Sequence, residues 1–241
     1  TITGGEAEFG NSFYGGGIYA NASTLTLSDS TNFTATSTSS AAKGTYQVQV
    51  QKLAQQHSLA SSYISTPSSV GNGTLTIDIG QYNSDKSMFT STKSTPITIN
   101  AGNDSLTAIR DAINGSNAGV TASVITDGLG PRLTLVSSQT GEKYAIKVTS
   151  SGGGLDTLKY DPTDTITADG LTETAAAQDS AVKVNGLVLQ QSTNTVTGAI
   201  SGVTLNLTKA DLANTVSMNI SDNQTQVTSQ INDFIKKYND A

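Results

Sequence analysis

The sequence predicts a mainly β protein of the α+β kind. Two antiparallel β-rich domains are expected, one inserted in the other, each with few short helices, followed by the start of a C-terminal helix. Three observations predict it. Short alternating apolar runs recur along most of the 241 residues, the period-two signature of half-buried strands. Turn residues (Gly, Asn, Asp) separate these runs. Only residues 104–114 and 222–241 change to helical spacing.

Taken in order, "STLTLS" (23–28) puts Leu25 and Leu27 on one face, and "GTYQVQV" (44–50) puts Tyr46, Val48 and Val50 opposite Thr45, Gln47 and Gln49. Such alternation fits an antiparallel sheet with one wet face. In "QKLAQQHSLASSYIS" (51–65), Leu53, His57, Ala60 and Ile64 fit a helical stripe, but Leu59 and the Ser pairs do not. An extended segment is the expectation there. "TLTIDI" (74–79) is a strand after the turn "GNG", "GQYNSDKSMFTSTKST" (80–95) reads as a loop, and "PITIN" (96–100) is a strand whose Pro suits an edge.

The stretch "DSLTAIRDAIN" (104–114) is a short helix. Asn103 or Asp104 is its expected cap, Leu106, Ile109 and Ile113 its apolar stripe, and Gly115 its left-handed stop. Arg110 and Asp111 face water. Strands follow at 120–126, 132–138 and 144–150, and a Gly/Asp-rich connector at 151–170. "AVKVNGLVLQQ" (181–191) is a hairpin with a type I′ turn at Asn185-Gly186. "NTVTGAISGVTLNLT" (194–208) and "NTVSMNIS" (214–221) continue the sheet.

These elements give a first β-rich domain of residues 23–66 with 171–221, an inserted β-rich domain of 67–158, a linker of 159–170, and a helical segment of 222–241. Residues 1–22 form an arm or an added segment. In the last helix Val227, Ile231, Phe234, Ile235 and Tyr238 recur at helical spacing, with Ser221 or Asp222 as cap. An apolar stripe of this kind packs against something, so this segment reads as the opening of a helical domain.

Composition narrows function. Only 35% of residues are hydrophobic and 13% charged, with no Trp, so cores are modest and the polar surface is mostly hydroxyls and amides. The net charge of -6 excludes a nucleic-acid or acidic-lipid partner driven by counterion release. No Cys is present, which removes disulfides, Cys-zinc sites and thiol nucleophiles. No apolar run is long enough to span a membrane, and no signal peptide is visible at the start of the sequence.

Candidate chemistry is thin. His57, the only His, is a candidate base without a motif partner; surface or half-buried packing outweighs catalysis. Asp156, Asp161, Asp164 and Asp169 cluster, and "SGGGLDTLK" (151–159) approaches a calcium-binding nonapeptide. That repeat works in stacked copies and here stands once, with Ser151 in place of its first Gly, so a turn-rich linker is the better reading. No phosphate-binding loop or HExxH motif occurs. No catalytic, cofactor or metal residues are assigned, and no enzyme is expected.

Two stretches carry a resemblance. "PITINAGNDSLTAIRDAINGSNAGVTASVITDGLGPRLTLVSSQTG" (96–141) is similar to the flagellin "IN" module, with Ile113-Asn114 as the naming pair. "AQDSAVKVNGLVLQQSTNTVTGAISGVTLNLTKA" (177–210), running into "TVSMNISDNQTQVTSQINDFIKKYND", resembles the hook-associated protein 2 family, the flagellar filament caps. "GTYQVQVQKLAQQHSLAS" (44–61) is similar to that family's early strand. The resemblance covers residues 30 to 240; residues 1 to 22 match nothing in it.

The resemblance implies a structural role: a homo-oligomeric ring at the extracellular tip of the flagellum that retains exported flagellin and promotes its folding and insertion. It implies export through the flagellar apparatus without a signal peptide. Partners would be further copies of itself, flagellin, hook-filament junction proteins and host mucin; no cofactor, nucleic acid or membrane is implied. Helical legs reach toward the filament, so Val227, Ile231, Phe234, Ile235 and Tyr238 are the expected leg-packing residues, or else pack within their own chain. The alternatives are another hook-associated or flagellin-like filament protein, an adhesin head binding mucin or glycan, and a surface hydrolase.

Overall fold

In the computed structural model the described residues are 23–27, 32–38, 40–164, 170–222 and 224–240. They form two compact units, divided at Leu53/Ala54 and Asp179/Ser180: one from the described residues up to 53 and from 180 on, the other from those between 54 and 179.

The first unit contains β1 (Ser23–Leu27), β2 (Phe33–Ser37), β3 (Gly44–Lys52), β11 (Ser180–Val184), β12 (Leu187–Gln191), β13 (Thr195–Ile200), β14 (Val203–Leu207), β15 (Val216–Asp222) and α2 (Gln224–Asn239). One sheet runs β1-β15-β3-β11-β12 and the other β13-β14-β2, with all pairs antiparallel. Alternation sends Val48, Val50, Val182, Val184, Val216, Met218 and Ile220 of the larger sheet into the same core as Phe33, Val196, Val203 and Leu205 of the smaller. The β11–β12 turn has the expected geometry. Asn185 (φ 47°) and Gly186 (φ 91°) both sit at positive φ, and the Asn185 side chain accepts from the Gln47 backbone N–H at 2.8 Å.

The second unit contains β4 (Gln56–Ala60), β5 (Gly73–Tyr82), β6 (Phe89–Ile99), α1 (Leu106–Gly115), β7 (Val120–Asp127), β8 (Gly130–Thr140), β9 (Ala145–Ser151) and β10 (Thr172–Ala175). Its sheets run β10-β4-β8-β7 and β6-β5-β9. Leu75 and Ile77 of one sheet, Leu133 and Leu135 of the other, and Leu106, Ile109 and Ile113 of α1 share one core.

Several expectations change here. The boundary lies elsewhere. Residues 54–66 and 171–179, assigned from sequence to the first domain, belong to the second unit because β4 pairs with β8 and β10 with β4. Residues 159–170 are not a free linker at their ends: Tyr160 exchanges backbone hydrogen bonds with Val148, and the Leu171 N–H reaches the Lys159 carbonyl at 2.7 Å. The 80–95 loop is the distal half of a β5–β6 hairpin closed by residues 83–88. Residues 90–94 are exposed on both faces, so no apolar alternation marked them as strand.

The cap of α1 is Ser105, whose Oγ accepts from the Ala108 N–H, not Asn103 or Asp104. The left-handed residue after α1 is Asn117 (φ 55°), not Gly115, because Ser116 continues in the right-handed region. Arg110 pairs with its neighbour Asp111 at the surface, as a water-facing pair should.

Asn114 has a function in the fold that its sequence position hid. Its Oδ1 accepts from the Ala122 N–H at 2.7 Å and its Nδ2 donates to the Ala122 carbonyl at 2.9 Å. β7 is an edge strand, and the amide thus occupies backbone groups that would otherwise be an open template for another strand. The adjacent Ile113 is fully buried. The Ile-Asn pair therefore fills the core and closes an edge in consecutive residues.

Candidate functional site

The described residues bring together one cluster of reactive side chains, centred on His57. The second residue of β4, it is 1% exposed rather than at the surface. The Ile146 backbone N–H on β9 donates to His57 Nδ1 at 2.8 Å. An acceptor at Nδ1 fixes the tautomer, so the proton sits on Nε2 and is donated to Glu173 Oε2 on β10 at 3.0 Å. The contact is thus a hydrogen bond from a neutral ring and not an ion pair, despite its salt-bridge distance. Burial, only partly offset by Glu173, holds the ring's pKa below 6.5.

Glu173 is the hub. Lys86 Nζ lies 2.7 and 2.8 Å from its two oxygens, and the Tyr160 hydroxyl donates to Oε2 at 2.9 Å. Burial opposes its charge, but the donors from Lys86, His57 and Tyr160 win, and its pKa falls below the ordinary value. The same burial and carboxylate push the Tyr160 hydroxyl up, so it stays a donor at all physiological pH. Lys86 sits at φ 57° in the β5–β6 turn, an uncommon conformation for a side-chain-bearing residue. Asn83 and Asp85 hold that turn by bonds to the Met88 and Ser87 N–H groups. A cavity of about 300 Å³ lies beside the cluster, bordered by His57, Tyr82, Lys86, Glu142 and Glu173.

As chemistry the cluster is spent. The imidazole acceptor is occupied by a backbone N–H, and the carboxylate is saturated by three donors. The hydroxyl bonded to the carboxylate, that of Tyr160, is pushed up by burial and stays protonated, so it is a fixed donor and not a nucleophile. Glu173, Lys86 and Tyr160 are 116, 29 and 103 positions from His57 by subtraction of residue numbers. No local motif could have announced them.

The acidic loop is also satisfied internally. Asp156 takes the Ser150 hydroxyl at 2.6 Å and Lys159 at 2.7 Å; Asp161 takes Lys147 at 2.7 Å and the Thr163 hydroxyl. Asp169 lies outside the described residues. Leu155 and Leu158, on a single 3-10 turn, are fully buried. The glycines before them permit close backbone approach: a Cβ on Gly154 (φ 90°) would stand 2.5 Å from the Val70 carbonyl oxygen.

The remaining candidate is the stripe on α2. Phe234 is 58% and Tyr238 76% exposed, and Ile231 and Ile235 are also exposed. Val227 belongs to α2, but its side chain lies outside the described residues. Ser221 and Asp222 pair in the β15 ladder with Thr24 and Ser23.

Residues 11–57 match "Flagellar hook-associated protein 2 N-terminus", 76–139 match "Flagellin hook IN motif", and 177–241 match "Flagellar hook-associated protein 2 C-terminus". The solved D2-D3 domains of the flagellar cap protein FliD from Escherichia coli superpose with a TM-score of 0.72 at 31% identity, covering 83% of this chain and 99% of that one. The chain belongs to the flagellar hook-associated protein 2 family. FliD from Pseudomonas aeruginosa gives a TM-score of 0.72 at 29% identity, over 86% of this chain and 92% of that structure. The B-type flagellar hook-associated protein 2 of Pseudomonas aeruginosa is 33% identical over 220 residues, 85% of this chain and 44% of its own length. The chain thus spans less than half of that hook-associated protein 2. The family is structural rather than enzymatic, in keeping with a His57 cluster whose groups are all engaged.

The match to the IN motif contains the whole of α1, and the match to the C-terminus contains the Asn185-Gly186 hairpin and α2. Hook-associated protein 2 proteins oligomerise and cap the flagellin filament at its tip.

Proposed function

We propose that this chain is the head portion of a filament cap: part of a homo-oligomeric ring at the flagellar tip that retains exported flagellin and promotes its folding and insertion. The observation that supports it most is the near-complete coverage of the solved cap fragment, 99% of that chain, by the two β-rich units together. A flagellin carrying the IN motif alone would lack the matched hook-associated protein 2 ends.

In this reading the work is mechanical. Sites for incoming subunits are spread over surfaces and no small catalytic set is required. Val227, Ile231, Phe234, Ile235 and Tyr238 are the leg-packing residues, and α2 is the start of a leg. Large apolar groups on one side of a helix favour burial against a partner helix. Export proceeds through the flagellar apparatus in an unfolded state, for which a chain without Cys carries no risk of premature disulfides.

Position on the filament tests this. Labelling of the full-length protein on intact cells is expected to give one focus at the distal end of each filament. Label distributed along the shaft would overturn the cap reading in favour of a flagellin-like subunit.

A further inference from the structure

We propose that His57, Glu173 and Lys86 form an acid-operated latch in the second unit: protonation of His57 breaks its bond to the Ile146 N–H and releases the β5–β6 turn from β10.

The geometry carries this. The cluster ties the two sheets of the unit together at two points. His57 on β4 holds β9 of the other sheet through Ile146, and Lys86 at the tip of the β5–β6 hairpin holds Glu173 on β10. Both ties meet at one carboxylate. A proton added to His57 must go on Nδ1, the nitrogen that accepts from Ile146. Two N–H donors would then face each other across 2.8 Å in a site that is 1% exposed. A buried donor without an acceptor is costly, so the ring must leave Ile146. Its movement draws on Glu173, which is also the anchor of Lys86.

The groups facing the ring set the sign. Glu173 on β10 favours the proton, whereas burial and Lys86 oppose it. The Tyr160 hydroxyl and ring stay neutral. Tyr82 and Glu142 border the adjoining cavity. For His57 the folded pKa lies below 6.5. The unfolded chain therefore binds a proton that the folded chain refuses, and stability falls as pH drops below 6.5 toward the folded value. Glu173, also lowered, adds stability that is full above 4.5 and is lost as pH falls further. Both act in the same direction, and the His57 window comes first.

His57 is the only histidine, so ring resonances of the whole chain report it unambiguously. Nitrogen shifts of the imidazole at neutral pH should show Nδ1 bare and Nε2 protonated, with a titration midpoint below 6.5. Amide exchange, corrected for intrinsic pH dependence, should lose about tenfold protection at Ile146, Lys86 and Met88 relative to Leu133 between about pH 7 and pH 5. In His57→Gln, which cannot titrate, the ratio should stay flat over that range; if that variant does not fold, the wild-type ring titration and exchange decide alone. A ring that titrates at or above 6.5, or a pH-independent protection ratio in the wild type, overturns the latch.

Discussion

Replacing Phe234 and Ile235 together by Gln in the full-length protein should dissolve the ring while leaving the head folded. Both side chains are at least 49% exposed, so their removal opens no cavity in the described residues. Gln is a good helix former, so α2 persists. If the two groups are buried between subunits, each contributes about 1.5–3 kcal/mol of apolar burial. Losing both weakens each contact by about 3–6 kcal/mol, a factor of roughly 10² to 10⁴ in dissociation constant. Sedimentation at fixed concentration should show ring collapse toward monomer with an unchanged circular dichroism spectrum. An unaltered size distribution would place the leg contacts elsewhere.

The second large effect lies inside the second unit. Ile109→Ala should cost about 3–4 kcal/mol, within the range for truncating a fully buried isoleucine. Ile109 is 0% exposed, on a helix of 10 residues that meets the shared core through buried Leu106, Ile109 and Ile113, with Ala112 partly buried beside them. A short helix has little stability of its own, so it cannot hold its place while the core collapses into the gap. Domains are stable by only about 5–15 kcal/mol, and the loss should appear as early denaturant unfolding of α1 and β7, read by amide exchange. A cost below about 1 kcal/mol would show that α1 is an ornament on the sheets and not the plug of their core.

Much of the fold was legible because its signals are local. Alternation located β3, β5, β8 and β14, and Asn185-Gly186 announced its turn because few residue pairs accept two positive φ angles. α1 stood out for the three-four spacing of Leu106, Ile109 and Ile113. The failures share a cause. Residues 90–94 are strand by hydrogen bonding alone; exposed on both faces, they have no apolar pattern to read. Ser105, Asp104 and Asn103 are equally good caps by type, and only backbone geometry chooses among them. The unit boundary differs because nothing local in β4 or β10 says which sheet it joins; pairing partners 74 or more residues away decide their allegiance.

The site was less legible than the fold. His57 was visible as a lone histidine, but its burial, tautomer and carboxylate partner are products of three strands meeting. Leu155 and Leu158 looked like part of a connector because Gly and Asp surround them, although both are core residues. The α2 stripe was readable from spacing, since a helical repeat needs no tertiary information. What it packs against lies beyond any one chain's local pattern.

The cap role proposed for the full-length protein, with these two units as its head, makes flagellin retention the decisive measurement. Cells whose gene is deleted should secrete soluble flagellin into the medium and build no filaments, and restoring the intact gene should bring filaments back. Filaments of normal length on cells lacking the protein would rule the cap role out.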